Sequence, residues 1–201
     1  MKKNIKILNL NQDPFILFKQ WFLLAQKKEI NDPNAMNLST VNRGLQPTSR
    51  LVLMKSFSKK GFIFNTNLNS KKSKDILANS LVGLNFYWKS LRKQVRIEGR
   101  AIKITKKESD FYFNDRPRGS QIGAWASNQS HILNKRKELL NKVIYYEKKF
   151  KNNQIPRPSY WSGYRVAPNL FEFWQDMPFR LHDRIEFYKV NNKWKSRRLY
   201  P

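Results

Sequence analysis

The chain has 201 residues, of which 40% are apolar and 14% aromatic, enough to build the packed core of one domain. It contains no cysteine, which excludes disulfides, thiolate metal sites and cysteine nucleophiles, and its two histidines argue against a histidine-rich site, so we expect no metal. The net charge is +26, but the lysines are spread along the chain among Asn and Ile, which favours a solvated basic surface over a specific nucleic-acid partner.

Neither export nor membrane insertion is indicated. No apolar run approaches the roughly 20 residues needed to span a bilayer. The segment after Met1 is broken by Asn, Gln and Asp, so no signal peptide is predicted. We therefore expect a cytoplasmic protein with no membrane partner.

The first predicted element is a helix that begins at Asp13-Pro14 and runs to about Glu29. Asp is a favoured capping residue, and Pro is favoured at the first helical position. Residues 1–12 are predicted to be a loose segment, and residues 13–201 a single domain. One apolar face at helical spacing comprises Phe15, Phe18, Trp21, Phe22 and Ala25.

From Asn37 onward the pattern favours strands. Ser58–Gly61 and Asn191-Asn192 are predicted hairpin turns. The predicted strands are 50–55, 62–64, 81–88, 94–104, 160–166, 170–174, 185–190 and 193–199. Further helices are predicted at 70–78, 105–114, 117–127 and 134–151, the second opened by a capping box. Because strands outnumber helices and follow one another, we predict a mainly β, α+β fold: an antiparallel barrel with peripheral helices.

No glycine-rich phosphate-binding motif occurs, so a bound phosphate must be held by side chains and helix ends. Arg116-Pro117 precedes a predicted helix start, Ser120 falls in its first turn, and Tyr112 lies one turn upstream. Charge-assisted hydrogen bonds and the helix dipole suit a phosphate dianion there. An exposed basic helix start is the alternative, and the residues alone leave both open.

Arg50 and Lys55 lie on one predicted strand. Because side chains alternate along a strand, these two point to opposite faces, roughly 17 Å apart. One anion cannot easily use both. They serve two ligands, or at least one of them is solvated.

A third basic group is Arg180, His182 and Arg184. If the segment is extended, the three share one face and repel one another unless an anion or acid lies among them. A structural histidine is the alternative. Gln94 and Gln129-Ser130 are weak signals alone, and aromatic residues such as Trp174 are more often core than part of a cofactor site.

Taken together and in this order, these pieces resemble the pyridoxamine 5′-phosphate oxidase family. The resemblance covers about residues 12–201. The blocks are RLVLMK at 50–55, GFIFNTN at 61–67, RKQVRIEG at 92–99, RPRGSQIGAW at 116–125, SNQS at 127–130, PRP at 156–158 with Trp161, EFWQ at 172–175 and RLHDR at 180–184.

The resemblance implies a split β-barrel homodimer with FMN at the subunit interface. It implies oxidation of pyridoxine or pyridoxamine 5′-phosphate to pyridoxal 5′-phosphate by hydride transfer from C4′ to flavin N5. Molecular oxygen then reoxidises the flavin and yields hydrogen peroxide, and the amine substrate also releases ammonia.

The resemblance also implies residue roles. Arg180 and His182 would lie over the substrate ring as the catalytic pair, with Leu181 beside them. The substrate phosphate would bind Lys55, Tyr112, Arg116 and Ser120. FMN would bind Arg50, Leu51, Val52, Leu53, Met54, Lys55, Asn65, Thr66, Lys71, Lys72, Gln94, Gln129, Ser130, Trp174 and Arg184.

The chain departs from the family pattern at a few positions. Asn65 stands where the family often has an aromatic residue, and Ser162 replaces a common glycine. Lys71 replaces the usual arginine, so a bidentate fork becomes a point charge. The N-terminus is short, which puts any contact from a covering basic segment in doubt.

Two other functions are left to test. A split-barrel flavin protein with another substrate or no activity would not need the Tyr112, Arg116, Ser120, Arg180 and His182 set. A nucleic-acid-binding protein would need basic residues interleaved with exposed aromatics on one face. The basic helix at 134–151 is the best candidate for that, and a solvated helix explains it more simply.

Overall fold

The computed structural model describes residues 7–201. Its first helix, α1, spans Pro14–Lys28 as predicted. The Asp13 side chain accepts hydrogen bonds from the backbone N–H groups of Phe15 (2.8 Å) and Ile16 (3.2 Å), and so caps the helix. The face buried against the barrel includes Phe15, Leu17, Phe18, Trp21 and Ala25.

The described residues contain eight strands, and every neighbouring pair is antiparallel. The order is β3-β2-β1-β4-β5-β6-β7-β8, and an additional pairing of β3 with β6 closes the first six strands into a barrel. The predicted antiparallel barrel is therefore confirmed. The strands are β1 (Ala35–Val41), β2 (Pro47–Ser58), β3 (Gly61–Asn67), β4 (Leu81–Trp88), β5 (Lys93–Lys103), β6 (Trp161–Gln175), β7 (Asp183–Val190) and β8 (Lys193–Leu199).

Four more α-helices lie outside the barrel: α2 (Lys71–Ala78), α3 (Lys106–Asn114), α4 (Arg118–Ala126) and α5 (Arg136–Lys149). The capping box predicted for α3 is present, between Thr105 and Glu108. At the start of α2, Ser70 holds the capping position, but its side chain caps no backbone N–H. The Ser70 hydroxyl bonds instead to the Ser73 hydroxyl and to the Lys72 ammonium.

The prediction of two strands at 160–166 and 170–174 was wrong, because β6 runs unbroken through Pro168. The register of β5 against β6 shifts between Glu98 and Gly99, and Gly99 pairs with Pro168. A Cβ on Gly99 would lie 2.3 Å from the carbonyl oxygen of Ala167. A bulge with glycine opposite the proline therefore lets the strand continue.

The predicted loose segment, residues 1–12, is only partly within the described residues, and that part is not loose. The backbone N–H of Leu8 donates to Asp183 Oδ2 (2.8 Å), and its carbonyl accepts from Arg198 (2.8 Å). The Leu10 carbonyl accepts from the Ser196 hydroxyl (2.8 Å). Residues 8–10 are therefore held against β7 and β8.

Two apolar clusters form the core. The larger fills the barrel beneath α1 and contains Phe18, Phe62, Phe86 and Phe171. The smaller lies under α3, α4 and α5 and includes Trp161 at the start of β6. No helix within residues 7–201 is both long and apolar enough to cross a bilayer.

Candidate active site

A cavity of about 560 Å³ opens between the barrel and helices α2, α3 and α4. Its volume is in the range of small-molecule and cofactor sites. We call it the first cavity. Its lining includes eleven residues predicted for ligand binding: Leu51, Val52, Leu53, Lys55, Asn65, Thr66, Lys72, Tyr112, Arg116, Ser120 and Gln129.

Lys72 is the most unusual group in this cavity. Its side chain is buried, and its ammonium donates to Thr66 Oγ1 (3.2 Å), Ser70 Oγ (3.2 Å) and Gln129 Oε1 (3.0 Å). All three partners are neutral oxygens, and Lys72 forms no ion pair with any carboxylate in the described part of the chain. Burial, with added repulsion from Arg50, lowers the pKa of Lys72 to about 8.

The predicted opposition of Arg50 and Lys55 is confirmed. Lys55 lines the first cavity, whereas the Arg50 guanidinium donates to the Leu38 carbonyl, Thr40 and Thr48, and lies 3.8 Å from Asp75. The first cavity therefore lies on the Lys55 face of β2, and the Arg50 side chain does not line it.

Three other residues predicted for the cofactor are not in the lining either. The Met54 side chain is buried in the barrel core, on the same face as Arg50. The Lys71 ammonium lies 3.4 Å from Asp75. Ser130 is exposed next to Gln129, with a φ of 71°. Their side chains flank the first cavity rather than forming its wall.

The four residues predicted to bind the substrate phosphate, in contrast, lie in one cavity. Lys55, Tyr112, Arg116 and Ser120 all line the first cavity. The Arg116 guanidinium lies 5.1 Å from the centre of the Trp161 ring, and burial lowers its pKa. Like Lys72, Arg116 forms no ion pair within residues 7–201.

Local structure supports these positions. The Tyr112 hydroxyl is 2.6 Å from the Ser56 hydroxyl, just after the bulge of β2 between Met54 and Ser56. Ser120 lies in the first turn of α4, whose start at Pro117 has no side-chain cap. Backbone N–H groups at such an uncapped helix start are suited to an anion.

A second set of predicted residues lies on β5, β6 and β7. Gln94, Trp174 and Arg184 are register partners on these adjacent strands, so their side chains share one face. The Trp174 and His182 ring centres are 4.6 Å apart. Arg184 donates to Glu172 Oε1 (2.9 Å). With Arg180 and Leu181, these residues form what we call the β6–β7 cluster: Gln94, Trp174, Arg180, Leu181, His182 and Arg184.

Arg180, His182 and Arg184 were expected to share one face only if their segment is extended, and the segment is not extended throughout. Pro178–Arg180 forms a 3₁₀ turn, and Phe179 and Arg180 have positive φ angles of 57° and 61°. Strand β7 begins only at Asp183. Arg180 is therefore exposed on a turn, and the alternation of a strand does not apply to it.

Within one chain, the two groups of predicted residues are not brought together. Leu181 and His182 line another cavity, of about 550 Å³, which shares no lining residue with the first. Trp161 lines the first cavity and Trp174 lies near the far end of the same strand, roughly 40 Å of strand contour away.

Several residues of the site were not predicted. Asn67, Asp115, Gly123, Ala124, Ser127 and Trp161 also line the first cavity. Others hold predicted residues in place: Ser56 bonds Tyr112, Asp75 bonds Lys71, and Glu172 bonds Arg184. What marks these supporting residues is a hydrogen bond to a predicted site residue, and most of these bonds can be recognised only once the fold is known.

Comparison with known proteins assigns the chain to a family. The family model described as pyridoxamine 5′-phosphate oxidase matches residues 24–148, and one described as the pyridoxine 5′-phosphate oxidase C-terminal dimerisation region matches residues 161–201. The chain is 49% identical to the pyridoxine/pyridoxamine 5′-phosphate oxidase of Caulobacter vibrioides, covering 94% of this chain and 86% of that protein. It is 50% identical to the enzyme of that name from Bartonella henselae, covering 94% and 93%.

Two solved structures agree in fold. The crystal structure of PhzG from Burkholderia lata 383, in complex with tetrahydrophenazine-1-carboxylic acid, covers 98% of both chains with a TM-score of 0.92 and 26% identity. A pyridoxamine 5′-phosphate oxidase-related, FMN binding protein from Nostoc punctiforme covers 95% of this chain, with a TM-score of 0.75 and 13% identity. With the sequence matches spanning both halves of the chain, the conclusion is that it belongs to the pyridoxamine 5′-phosphate oxidase family.

Proposed function

We propose that this protein is an FMN-dependent oxidase that converts pyridoxine and pyridoxamine 5′-phosphates to pyridoxal 5′-phosphate. One observation carries the proposal: beside the exposed Lys55, the first cavity holds two desolvated cations that have no carboxylate partner within residues 7–201, Lys72 and Arg116. A desolvated cation is costly unless an anion offsets it. Two such cations in one cavity suit two phosphorylated ligands held side by side.

The residues around Lys72 fit the flavin phosphate. Asn65 also supports a ligand here, because its buried amide N and O atoms have no hydrogen-bond partner within the described residues. Thr66, Lys72 and Gln129 would hold the phosphate end of FMN, and Leu51–Leu53 would pack beneath it. Arg50 and Lys71, which lie near the first cavity without lining it, would add positive charge close to the phosphate. When bound, FMN supplies the two-electron acceptor for hydride from C4′, and oxygen then regenerates it with release of hydrogen peroxide.

The part of the first cavity around Arg116 would bind the substrate phosphate. Arg116, Lys55 and Tyr112 would donate hydrogen bonds to its oxygens. Ser120 lies in the first turn of α4, so the start of that helix would face the phosphate. Charge-assisted bonds of this kind contribute about 1.5–3 kcal/mol each. The substrate would thereby be anchored at the end remote from the reacting carbon, which fixes the position of C4′.

We propose a homodimer, in which the β6–β7 cluster of one subunit completes the first cavity of the other. The split between the two residue groups within one chain supports this arrangement, as does the match of residues 161–201 to a dimerisation region. Arg180 and His182 of the partner subunit would then lie over the substrate ring. Gln94, Trp174 and Arg184 of the partner subunit would contact the flavin.

The similarity to PhzG raises a second candidate, a flavin oxidase for a carboxylic acid without phosphate. The four residues proposed to bind the substrate phosphate argue against this candidate, because a substrate without phosphate would leave them without a ligand. They are Lys55, Tyr112, Arg116 and Ser120. Identity is also higher to the curated pyridoxine/pyridoxamine 5′-phosphate oxidases, at 49–50%, than to PhzG, at 26%.

The direct test is to purify the protein, measure bound FMN by absorbance, and add pyridoxine 5′-phosphate or pyridoxamine 5′-phosphate. We expect yellow protein that forms pyridoxal 5′-phosphate and an equal amount of peroxide. Unphosphorylated pyridoxine should react poorly. Colourless protein that takes up no FMN, or equal rates with and without the substrate phosphate, would reject the proposal.

A mixed dimer tests the shared site. Co-expressed Arg116→Ala and His182→Ala chains, carrying different affinity tags, give a heterodimer in which one site has both defects and the other has neither. At a pyridoxine 5′-phosphate concentration well below the KM of the Arg116→Ala parent, a shared site gives the heterodimer about half of the wild-type activity, although each parent homodimer retains only a small fraction of it. If each site lies within one chain, the heterodimer is no more active than its parents.

A further inference from the structure

Asp176 follows β6 directly and lies between Arg92, which precedes β5, and His182, which precedes β7. Its Oδ2 is 2.8 Å from the Arg92 guanidinium, and its Oδ1 is 3.3 Å from His182 Nδ1. The Asp176 backbone N–H also donates to the Arg92 carbonyl (3.1 Å). Asp176 is therefore held by Arg92 at two points, through its backbone N–H and through carboxylate Oδ2, and Oδ1 faces the imidazole.

His182 Nδ1 has a second neighbour. The backbone N–H of Met177 points at the same nitrogen from 3.3 Å. An N–H can only donate, so Met177 favours a bare Nδ1, whereas a carboxylate can only accept, so Asp176 favours Nδ1–H. A hydrogen bond to a charged acceptor is roughly twice as strong as one between neutral groups, which favours Asp176 over Met177 as the group that sets the tautomer.

We propose that Asp176 is a positioning residue that holds His182 with the proton on Nδ1, so that the Nε2 lone pair is free to accept the substrate proton. The inference rests on the proposed function, in which His182 lies over the substrate ring. A carboxylate that fixes a catalytic imidazole in one tautomer also occurs in the Ser-His-Asp triad.

The proton balance follows. Oxidation of pyridoxine 5′-phosphate to the aldehyde removes a hydride from C4′ and a proton from the 4′ hydroxyl. His182 Nε2 would accept the proton while the C–O bond becomes a double bond, and bound FMN would supply the acceptor for the hydride and its two electrons. The imidazolium that results is stabilised by Asp176 through Nδ1–H, and it then releases the proton to water.

Apart from Arg180, the other charged groups near His182 are already paired, which leaves Asp176 as the acid that faces it. On β7 and β8, Asp183 pairs with Arg198. Arg184 is paired with Glu172 and also donates to the Tyr200 carbonyl. Arg180, on the adjacent turn, is exposed and forms no ion pair within residues 7–201.

The decisive variant is Asp176→Asn, which keeps the shape of the side chain. Arg92 can only donate, so it takes the amide oxygen and turns the NH₂ group towards His182 Nδ1. The tautomer is then reversed, with the proton on Nε2 and no lone pair facing the substrate. Asp176→Glu retains a carboxylate and should restore the native tautomer at least in part.

Imidazole ¹⁵N NMR on the FMN-loaded protein reads the tautomer directly. The chain has only two histidines, so exposed His131 serves as an internal reference in the same spectrum. At alkaline pH we expect Nδ1–H at His182 in the wild type and Nε2–H in Asp176→Asn, with His131 unchanged. The same tautomer in both proteins would overturn the proposal.

Kinetics supply the second measurement. In Asp176→Asn we expect kcat for pyridoxine 5′-phosphate to fall at least about tenfold, with KM within about twofold, because the base is lost and phosphate binding is not. The acid limb of the pH–rate profile should also change. Asp32→Asn, which removes an exposed carboxylate from the loop before β1, is the matched control and should match the wild type.

A reversed tautomer with unchanged kcat and pH profile would also overturn the proposal. Such a result would leave the proposed function standing, because the protein would still bind FMN and form pyridoxal 5′-phosphate. If the wild type binds no FMN and forms no product, the proposed function fails instead, whatever the tautomer of His182.

Discussion

The first cavity and strands β5–β8 both carry arginine and lysine, but they differ in whether carboxylates pair with these cations. In the first cavity, Lys72 and Arg116 have no carboxylate partner within residues 7–201. On strands β5–β8, buried carboxylates pair with arginines on neighbouring strands. These pairs are Glu172 with Arg96 and Arg184, Asp183 with Arg198, and Glu186 with Arg197.

We expect this difference to separate residues that bind a ligand from residues that stabilise the fold. An unpaired buried cation costs stability until an anion arrives, whereas removing one member of a buried pair leaves the other uncompensated. Stability and ligand binding should therefore respond oppositely to mutation in the two regions.

The largest expected effect is on stability. Glu172, which is 5% exposed, contacts both Arg96 (2.8 Å) and Arg184 (2.8 Å). Glu172→Leu should lower the free energy of unfolding by about 3 kcal/mol, at the low end for a broken buried pair because both arginines stay partly hydrated. Urea denaturation of the flavin-free protein measures it.

Lys72→Met is the matched comparison for that measurement. It removes a buried cation that has no carboxylate partner, so the flavin-free protein should be at least as stable as the wild type, within about 0.5 kcal/mol. A large loss in Lys72→Met, or none in Glu172→Leu, would erase the distinction between the two regions.

The next effect is on substrate binding. Arg116→Ala should raise KM for pyridoxine 5′-phosphate about 30-fold, which corresponds to the loss of about 2 kcal/mol from a charge-assisted bond. Steady-state kinetics with unphosphorylated pyridoxine provide the control, since a phosphate contact contributes nothing there. An equal change for both substrates would place Arg116 away from the phosphate.

A pH effect follows from Lys72. Its pKa in the flavin-free protein is lowered to about 8, and a bound phosphate would favour its charged form. Above pH 8 the ammonium must regain a proton for FMN to bind, so affinity falls as pH rises. Between pH 7 and pH 9 the Kd of FMN should increase about tenfold, because at one unit above its pKa only about a tenth of the Lys72 side chains are charged.

Fluorescence quenching of the flavin measures this dependence. Riboflavin, which lacks the phosphate, should show no such slope, and neither should Lys72→Met with FMN. A slope that persists in Lys72→Met would assign the proton to another group.

The parts of this structure that were predictable from sequence depend on neighbours in the chain. The cap at Asp13-Pro14 and the opposition of Arg50 and Lys55 follow from local geometry, and both are confirmed. The parts that were missed depend on distant partners. Pro168 stays within β6 because Gly99 lies opposite, and Leu8 is held by Asp183 and Arg198 across the whole chain.

The candidate site divides in the same way. The motif around Arg116 and Ser120 forms a cavity wall as expected, because helix starts are local. The positive φ of Arg180 was not foreseeable, since an arginine in the left-handed region needs tertiary support. Asp176 was also missed, because its contacts with Arg92 and His182 exist only once β5, β6 and the 3₁₀ turn have assembled.

The smallest predicted effect concerns Lys71, at the boundary between ligand and fold. Its ammonium lies 3.4 Å from Asp75, which also lies 3.8 Å from the Arg50 guanidinium. Arginine at this position could keep the Asp75 contact with one nitrogen and offer a second to the flavin phosphate, because a guanidinium is bidentate and an ammonium is a point charge. Lys71→Arg should therefore tighten FMN binding about threefold, with no change in KM for the substrate. Lys74→Arg, on the same helix but outside the first cavity, controls for a general effect of arginine, and equal tightening in both variants would remove Lys71 from the flavin site.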